Sequence, residues 1–430
     1  MYNPIIRLSL VLAIFFLILS CENTGMSTKD YENDGGGSSL HGELSFTLSG
    51  SSGFTILRNG PGCNTADING DGHIDVLLYG EDSDSNLPKT CTYLNTGNGS
   101  FVMLANENLE GISHAATAFT DLDNDGDQDL CVTGEDSQGS SMNYFSAVYL
   151  NDGDGIYEES LLVNIPKCKI SAIVCGDLDG DGYNDLIISG AMRTSPYFTT
   201  TILINQGVTG GNWNGMSVSG YSADLPLLKN GSLTLGDVDG DGDLDLLLTG
   251  VYSYTKQTFL FINNGDPDSD GWDGFSDSGE SITEMDSSDA AFEDIDGDSD
   301  LDLIIAGSST DFPYRTAEIW LNNGSGRFTE YVGTSLAPVS IANIVTGDPD
   351  KDGDIDIVVS GYESDAKYYT RFYYNDGTGS FSEENMGFTN IGDGEGRFFD
   401  ADGDGDLDFI NTGEDDAGTG HTELYLNNLS

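Results

Sequence analysis

The 430-residue chain carries 73 acidic against 15 basic residues, a formal net charge of -58. No run of lysine or arginine occurs, which excludes nucleic acid and anionic lipid head groups as partners, since both are gripped by basic patches. Four histidines and six cysteines without zinc-type spacing exclude a Cys/His metal site.

The chain opens on Arg7 and an apolar stretch from Leu8 to Leu19, a signal-peptide core too short to span a bilayer. Residues 1–20 are expected to direct export. Ile18-Leu19-Ser20-Cys21 resembles the lipobox of bacterial lipoproteins, which implies lipid attachment at Cys21 and placement on the outer membrane or cell surface. The anchor would then be the only membrane contact. Residues 21–41 include Gly35-Gly36-Gly37-Ser38-Ser39 and read as a flexible tether. The remaining cysteines, Cys63, Cys91, Cys131, Cys168 and Cys175, are odd in number. Either Cys63 pairs with Cys91, or Cys168 with Cys175, or all five are small buried hydrophobes.

Residues 42–430 contain seven acidic loops, with candidate ligands at positions 1, 3, 5 and 9 and a main-chain carbonyl at position 7. In that order, with position 7 last, the first loop offers Asp67, Asn69, Asp71, Asp75 and His73, and the second Asp121, Asp123, Asp125, Asp129 and Asp127. The third offers Asp177, Asp179, Asp181, Asp185 and Tyr183, and the fourth Asp237, Asp239, Asp241, Asp245 and Asp243. Asp294, Asp296, Asp298, Asp302 and Asp300 form the fifth; Asp348, Asp350, Asp352, Asp356 and Asp354 the sixth; Asp400, Asp402, Asp404, Asp408 and Asp406 the seventh. Crowded carboxylates around a turn-forming glycine suit Ca²⁺, a hard cation taking oxygen ligands. Up to seven structural Ca²⁺ are expected. The fifth loop has Ser299 where the others have glycine at position 6, and is expected to be the weakest site because a positive φ costs a side chain more. Asp-Gly turn chemistry alone explains neither the seven aligned copies nor an aspartate at every position 9.

These loops share their first six residues with the EF-hand, whose bidentate glutamate stands at position 12. Here that position holds Leu78, Val132, Ile188, Leu248, Ile305, Val359 and Asn411, so the loops lead into buried strands. Each unit next has a variable loop, then a strand ending in asparagine at Asn95, Asn151, Asn205, Asn263, Asn322, Asn375 and Asn427. In six units a glycine-rich turn leads to a strand opening with Phe101, Tyr157, Trp213, Phe275, Phe328 or Phe381. The stretch before each acidic loop supplies the fourth strand, often with small residues, as in Ala115-Ala116-Thr117-Ala118, which fits close approach to an axis. The loop starts lie 54, 56, 60, 57, 54 and 52 residues apart, as in one repeat array. Four strands per unit in seven units predict an all-β, seven-bladed β-propeller of four-stranded antiparallel blades. The seventh unit has no fourth strand after Asn427; Gly42-Glu43-Leu44-Ser45-Phe46 is expected to supply it and close the ring.

The acidic loops resemble the FG-GAP or VCBS-type repeats related to the integrin α-subunit propeller, over about residues 42–430. The resemblance implies structural calcium in loops joining first and second strands, with ligands bound on the opposite face. That face is expected to carry the variable loops, with Tyr197, Tyr254 and Tyr314 as candidate ligand contacts among Arg193 to Phe198, Tyr252 to Tyr254, Phe312 to Arg315 and Tyr362 to Tyr369. Such aromatics either stack on a sugar or anchor a protein, or else begin the next strand and pack between blades. Two function classes follow. The first is a non-enzymatic, monomeric calcium-stabilised binding or adhesion module for a glycan or protein. The second is a polysaccharide-processing enzyme, lyase-like, on the same scaffold. The second needs an acid/base constellation, whereas the histidines at 41, 73, 114 and 421 are scattered and no nucleophile motif is present.

Overall fold

A computed structural model describes residues 44–49, 53–105, 108–136, 143–267, 271–310, 314–333 and 336–429. Residues 1–43 lie outside it, and with them the expected signal segment, Cys21, the tether and the first residues of the closing strand. Phe312 lies outside it as well.

The propeller has seven four-stranded antiparallel sheets. Blade one runs Leu57–Ala66, Asp75–Asp82, Pro88–Asn95 and Phe101–Met103 from the axis outward; blade two runs Ser113–Thr120, Asp129–Asp136, Asn143–Asn151 and Tyr157–Glu159. The inner strands of the other blades are Cys168–Gly176, Leu233–Gly236, Met285–Glu293, Ser340–Gly347 and Gly392–Phe399. Phe46–Leu48 pairs with the third strand of blade seven, Gly420–Asn427, placing Phe46 opposite Asn427 and Leu48 opposite Tyr425. Among the described residues there is no α-helix, and the one 3-10 turn spans Gly220–Ala223. None of the helices there is long and apolar enough to cross a membrane.

Each second strand is buried along nearly its whole length, as at Asp75–Asp82 and Asp129–Asp136. The cause is position: it is hydrogen-bonded on both sides and covered by a neighbouring blade on each face, so both alternating sets of side chains must be apolar. Adjacent blades share apolar clusters. Leu57, Val76 and Leu78 of blade one pack with Phe399, Ile410 and Leu424 of blade seven. Leu77 and Tyr79 pack in turn with Leu130, Val132 and Tyr149 of blade two. All five cysteines are free thiols, four of them buried, and burial pushes Cys63 and Cys168 up to about 12. Neither suggested disulfide forms.

One strand assignment needs correction. Trp213 does not open the fourth strand of blade three, which is Met216–Val218. It belongs to an added hairpin, Val208–Thr209 with Asn212–Trp213, turned at Gly210 and Gly211 with φ of 63° and 81°. The tryptophan folds back because its indole N–H donates to Asn205 Oδ1 at 2.8 Å.

Candidate metal loops and the opposite face

Every acidic loop joins an inner strand to a second strand, so all seven open on one face. In the first loop the position 1 carboxylate of Asp67 accepts the main-chain N–H groups of Asp71 and Gly72, at 3.1 and 2.9 Å. The chain therefore wraps around it. Positions 4 and 6 turn through the left-handed region, as at Gly70 and Gly72 with φ of 68° and 89°. Ser299 adopts φ 75° at position 6 of the fifth loop, the strained conformation its sequence position demands.

Position 9 has a different role from positions 1, 3 and 5. Asp75 is fully buried, and its two oxygens accept the N–H groups of Ile68 at 2.9 Å and Asn95 at 2.7 Å. Burial, only partly offset by those bonds, raises its carboxyl to about 6. The same cause raises Asp302 to about 6, Asp129, Asp185, Asp245 and Asp408 to about 7, and Asp356 to about 8.

The fit of a dication rests on two observations. Loops two to six each bring three aspartate oxygens within 4.8 Å of one another, as in Asp177, Asp179 and Asp185. That separation is close to twice a calcium–oxygen bond of roughly 2.3–2.6 Å. Secondly, one buried oxygen of each position 3 residue Asp123, Asp239 and Asp296 accepts no hydrogen bond. A buried carboxylate oxygen without a donor is costly unless a cation satisfies it. At position 7 the side chains of the first six loops turn away. A Cβ at Gly97 would fall 2.4 Å from the His73 ring, and one at Gly207 2.8 Å from that of Tyr183, so these rings lie on the glycine turn after the third strand. Asp127, Asp243, Asp300 and Asp354 lie similarly against Gly153, Gly265, Gly324 and Gly377. Only their main-chain carbonyls remain to serve a metal.

The asparagine ending each third strand couples the loops to one another. Asn205 donates its N–H to Asp185 at 2.7 Å and its side-chain amide to the Leu122 carbonyl, inside the loop of the preceding blade, at 2.8 Å. Its Oδ1 accepts from Gly207 and Trp213. Six other clasps repeat the link: Asn151 to Ile68, Asn263 to Leu178, Asn322 to Val238, Asn375 to Ile295, Asn427 to Pro349 and Asn95 to Ala401. The last joins blade one to blade seven. Sequence reading found this asparagine as a strand ending but not its partner, which lies about 80 residues away along the chain in most blades. Replacing Asn205 with leucine strands the carbonyls of Leu122 and Asn184 and the N–H donors of Gly207 and the Trp213 indole, and is expected to cost about 3 kcal/mol, read as a lowered denaturation midpoint in urea.

The opposite face carries the loops between second and third strands. Tyr197 and Tyr314 are more than half exposed, and Tyr254 is fully so. All three adopt positive φ, at 69°, 69° and 73°. Near the axis six inner strands are interrupted by a left-handed residue, Asn59, His114, Ile170, Ser287, Ile341 and Asp393, and in blade four Asn230 lies just before the strand, with φ between 46° and 60°. In six blades the register shifts here, as between Ser113 and Ala116. These residue types share nothing, so no sequence pattern announces the ring they form. They surround an axial cavity of about 540 Å³.

Compared with known proteins, the FG-GAP-like repeat family matches residues 67–132, 121–188 and 294–359. A T-cell immunomodulatory protein homolog of Plasmodium falciparum (isolate 3D7) is 29% identical over 218 residues, 46% of this chain and 30% of that relative. The chain therefore spans less than a third of that relative's length. Solved structures include an Aleuria aurantia lectin with alpha-methyl-L-fucoside, at 11% identity, TM-score 0.40, and coverage of 78% of this chain and 99% of that one. The NanB sialidase from Streptococcus pneumoniae shows 10% identity, TM-score 0.38, and coverage of 89% and 70%.

Proposed function

Starting from a seven-bladed propeller that carries FG-GAP-like repeats, we propose a calcium-stabilised binding module, exported and held at a bacterial cell surface by a lipid on Cys21, with a glycan or a protein as its ligand. The contrast between the two faces carries this reading. One face repeats the same aspartates and the same asparagine clasp in every blade, which is what a fastener requires. The other face has a cavity and three exposed tyrosines that no repeat imposes. Surface aromatics contribute little to a fold and much to recognition.

Binding is favoured over catalysis because two of the three carboxylates of the axial cavity, Asp289 and Glu395, are engaged. Asp289 accepts the Ile344 N–H at 2.9 Å and the Ala290 N–H at 2.9 Å, and Glu395 accepts the Tyr79 hydroxyl at 2.8 Å and Arg397 at 3.2 Å. A general acid or base must instead face its substrate proton. A glycan array probed with and without calcium tests the reading: retention on defined glycans that disappears with chelator supports it, and turnover to unsaturated products would replace it with the lyase. The anchor is checked separately. Cys21→Ala is expected to move the expressed protein from the membrane fraction to the soluble fraction, and continued sedimentation with membranes would rule the lipid out.

A further inference from the structure

The axial cavity does not stand alone. A second hollow, of about 570 Å³, lies between the mouths of blades three, four and five and shares Ile170 and Asn230 with the first. Its walls include Phe198, Val251 and Tyr254. The two differ in chemistry. The axial cavity is lined by Ser171, Ser232 and Ser288, whose hydroxyls each also meet a threonine hydroxyl of the fold, together with Asp289, Glu395 and Arg397. The outer hollow presents an aromatic wall, with the Lys229 ammonium 5.4 Å from the centre of the Phe198 ring and Tyr252 packed edge-on against that ring at 5.8 Å.

Resting on the binding-module reading, we propose that these hollows form one elongated site for an uncharged oligosaccharide, its terminal sugar in the axial cavity and the next sugar against Tyr254. Three features lead there. A lining rich in both donors and acceptors, with carboxylates already partly satisfied, matches sugar hydroxyls, which donate and accept at once. Charge selects against acidic sugars. Asp289, Asp393 and Glu395 face the cavity against a single guanidinium, Arg397, which is itself paired with Glu395 at 3.2 Å. In the outer hollow Lys256 is paired with Asp286 at 2.8 Å and Lys229 lies over the Phe198 ring, so the selection against acidic sugars is made by the axial cavity alone. A uronic acid entering the axial cavity meets an excess of like charge.

The third feature is Tyr254 itself. Ser253 and Tyr254 form the two-residue hairpin loop between Tyr252 and Thr255, with φ of 49° and 73°. Such a turn is ordinarily made from asparagine and glycine. A tyrosine here is strained and buries nothing within the described residues, so its ring is placed for a contact outside the fold.

The test uses calcium-loaded protein, titrated by calorimetry with neutral hexose oligomers of one to four residues and with an oligogalacturonate. Wild type is expected to bind the neutral series and to take the oligogalacturonate at least tenfold more weakly. Tyr254→Ala is expected to weaken oligomers about tenfold while leaving the monosaccharide unchanged. Asp393→Asn is expected to narrow the gap between neutral and acidic sugars. Unchanged melting of both variants in calcium shows that they fold. Wild-type binding that neither variant alters, or equal affinity for the oligogalacturonate, overturns the two-part site and leaves the binding module standing. Failure of wild type to bind any sugar of either charge overturns the glycan reading as well.

Discussion

Stripped of divalent cations, the propeller is expected to melt on the order of tens of degrees below its calcium-loaded form. Loops two to six each hold three carboxylates with oxygens within 4.8 Å of one another, as in Asp177, Asp179 and Asp185. Like charges at such separations oppose folding unless protons or a cation intervene. A site held at a hundred times its dissociation constant stabilises the fold by about 2.7 kcal/mol. Seven comparable sites together contribute well over 10 kcal/mol on that scale, and large domains shift by roughly 2 °C for each kcal/mol. The clasps should make the effect cooperative, because Asn205 grips the loop of blade two from blade three and its counterparts do the same around the ring. Scanning calorimetry in excess chelator and in millimolar calcium measures the difference, and coincident transitions would remove calcium from the account.

Much of this architecture is legible in the amino-acid sequence because it repeats. Aspartate at positions 1, 5 and 9 and asparagine at each third-strand end recur in every unit, and aspartate at position 3 in all but the first; recurrence separates a requirement of the fold from an accident of one loop. What is written only once stays hidden. The hairpin at Trp213 occurs in a single blade, and the indole bond to Asn205 that shapes it leaves no pattern. The ring of left-handed residues recurs in backbone but not in residue type, running from Asn59 through Ile170 to Asp393. It arises where inner strands crowd an axis and bulge, which bends the strand and sharpens its twist, a consequence of ring geometry and not of local preference. The candidate ligand site lies where that geometry meets unrepeated side chains, so its exposed tyrosines were legible and its cavity was not.

Acidification is expected to move the two forms of the protein in opposite directions. Without metal, the position 9 aspartates are raised by burial to about 6 in Asp75, about 7 in Asp185 and about 8 in Asp356, above an unfolded value of roughly 3.9. The folded chain therefore binds more protons than the unfolded chain between those limits. Stability from this source is fully present below about pH 4 and is lost as pH rises through about 6 to 8. Metal-free protein should thus melt higher at pH 5 than at pH 8. With calcium the sign reverses, because the ligands must be deprotonated to hold the cation and protons compete for the same oxygens. The loaded protein should melt lower at pH 5 than at pH 8, and the two curves should converge as pH falls. Melting temperatures of metal-stripped and calcium-saturated protein across this range test both slopes. Parallel curves would show that the buried aspartates do not change protonation with folding, and that the metal acts somewhere other than these seven loops.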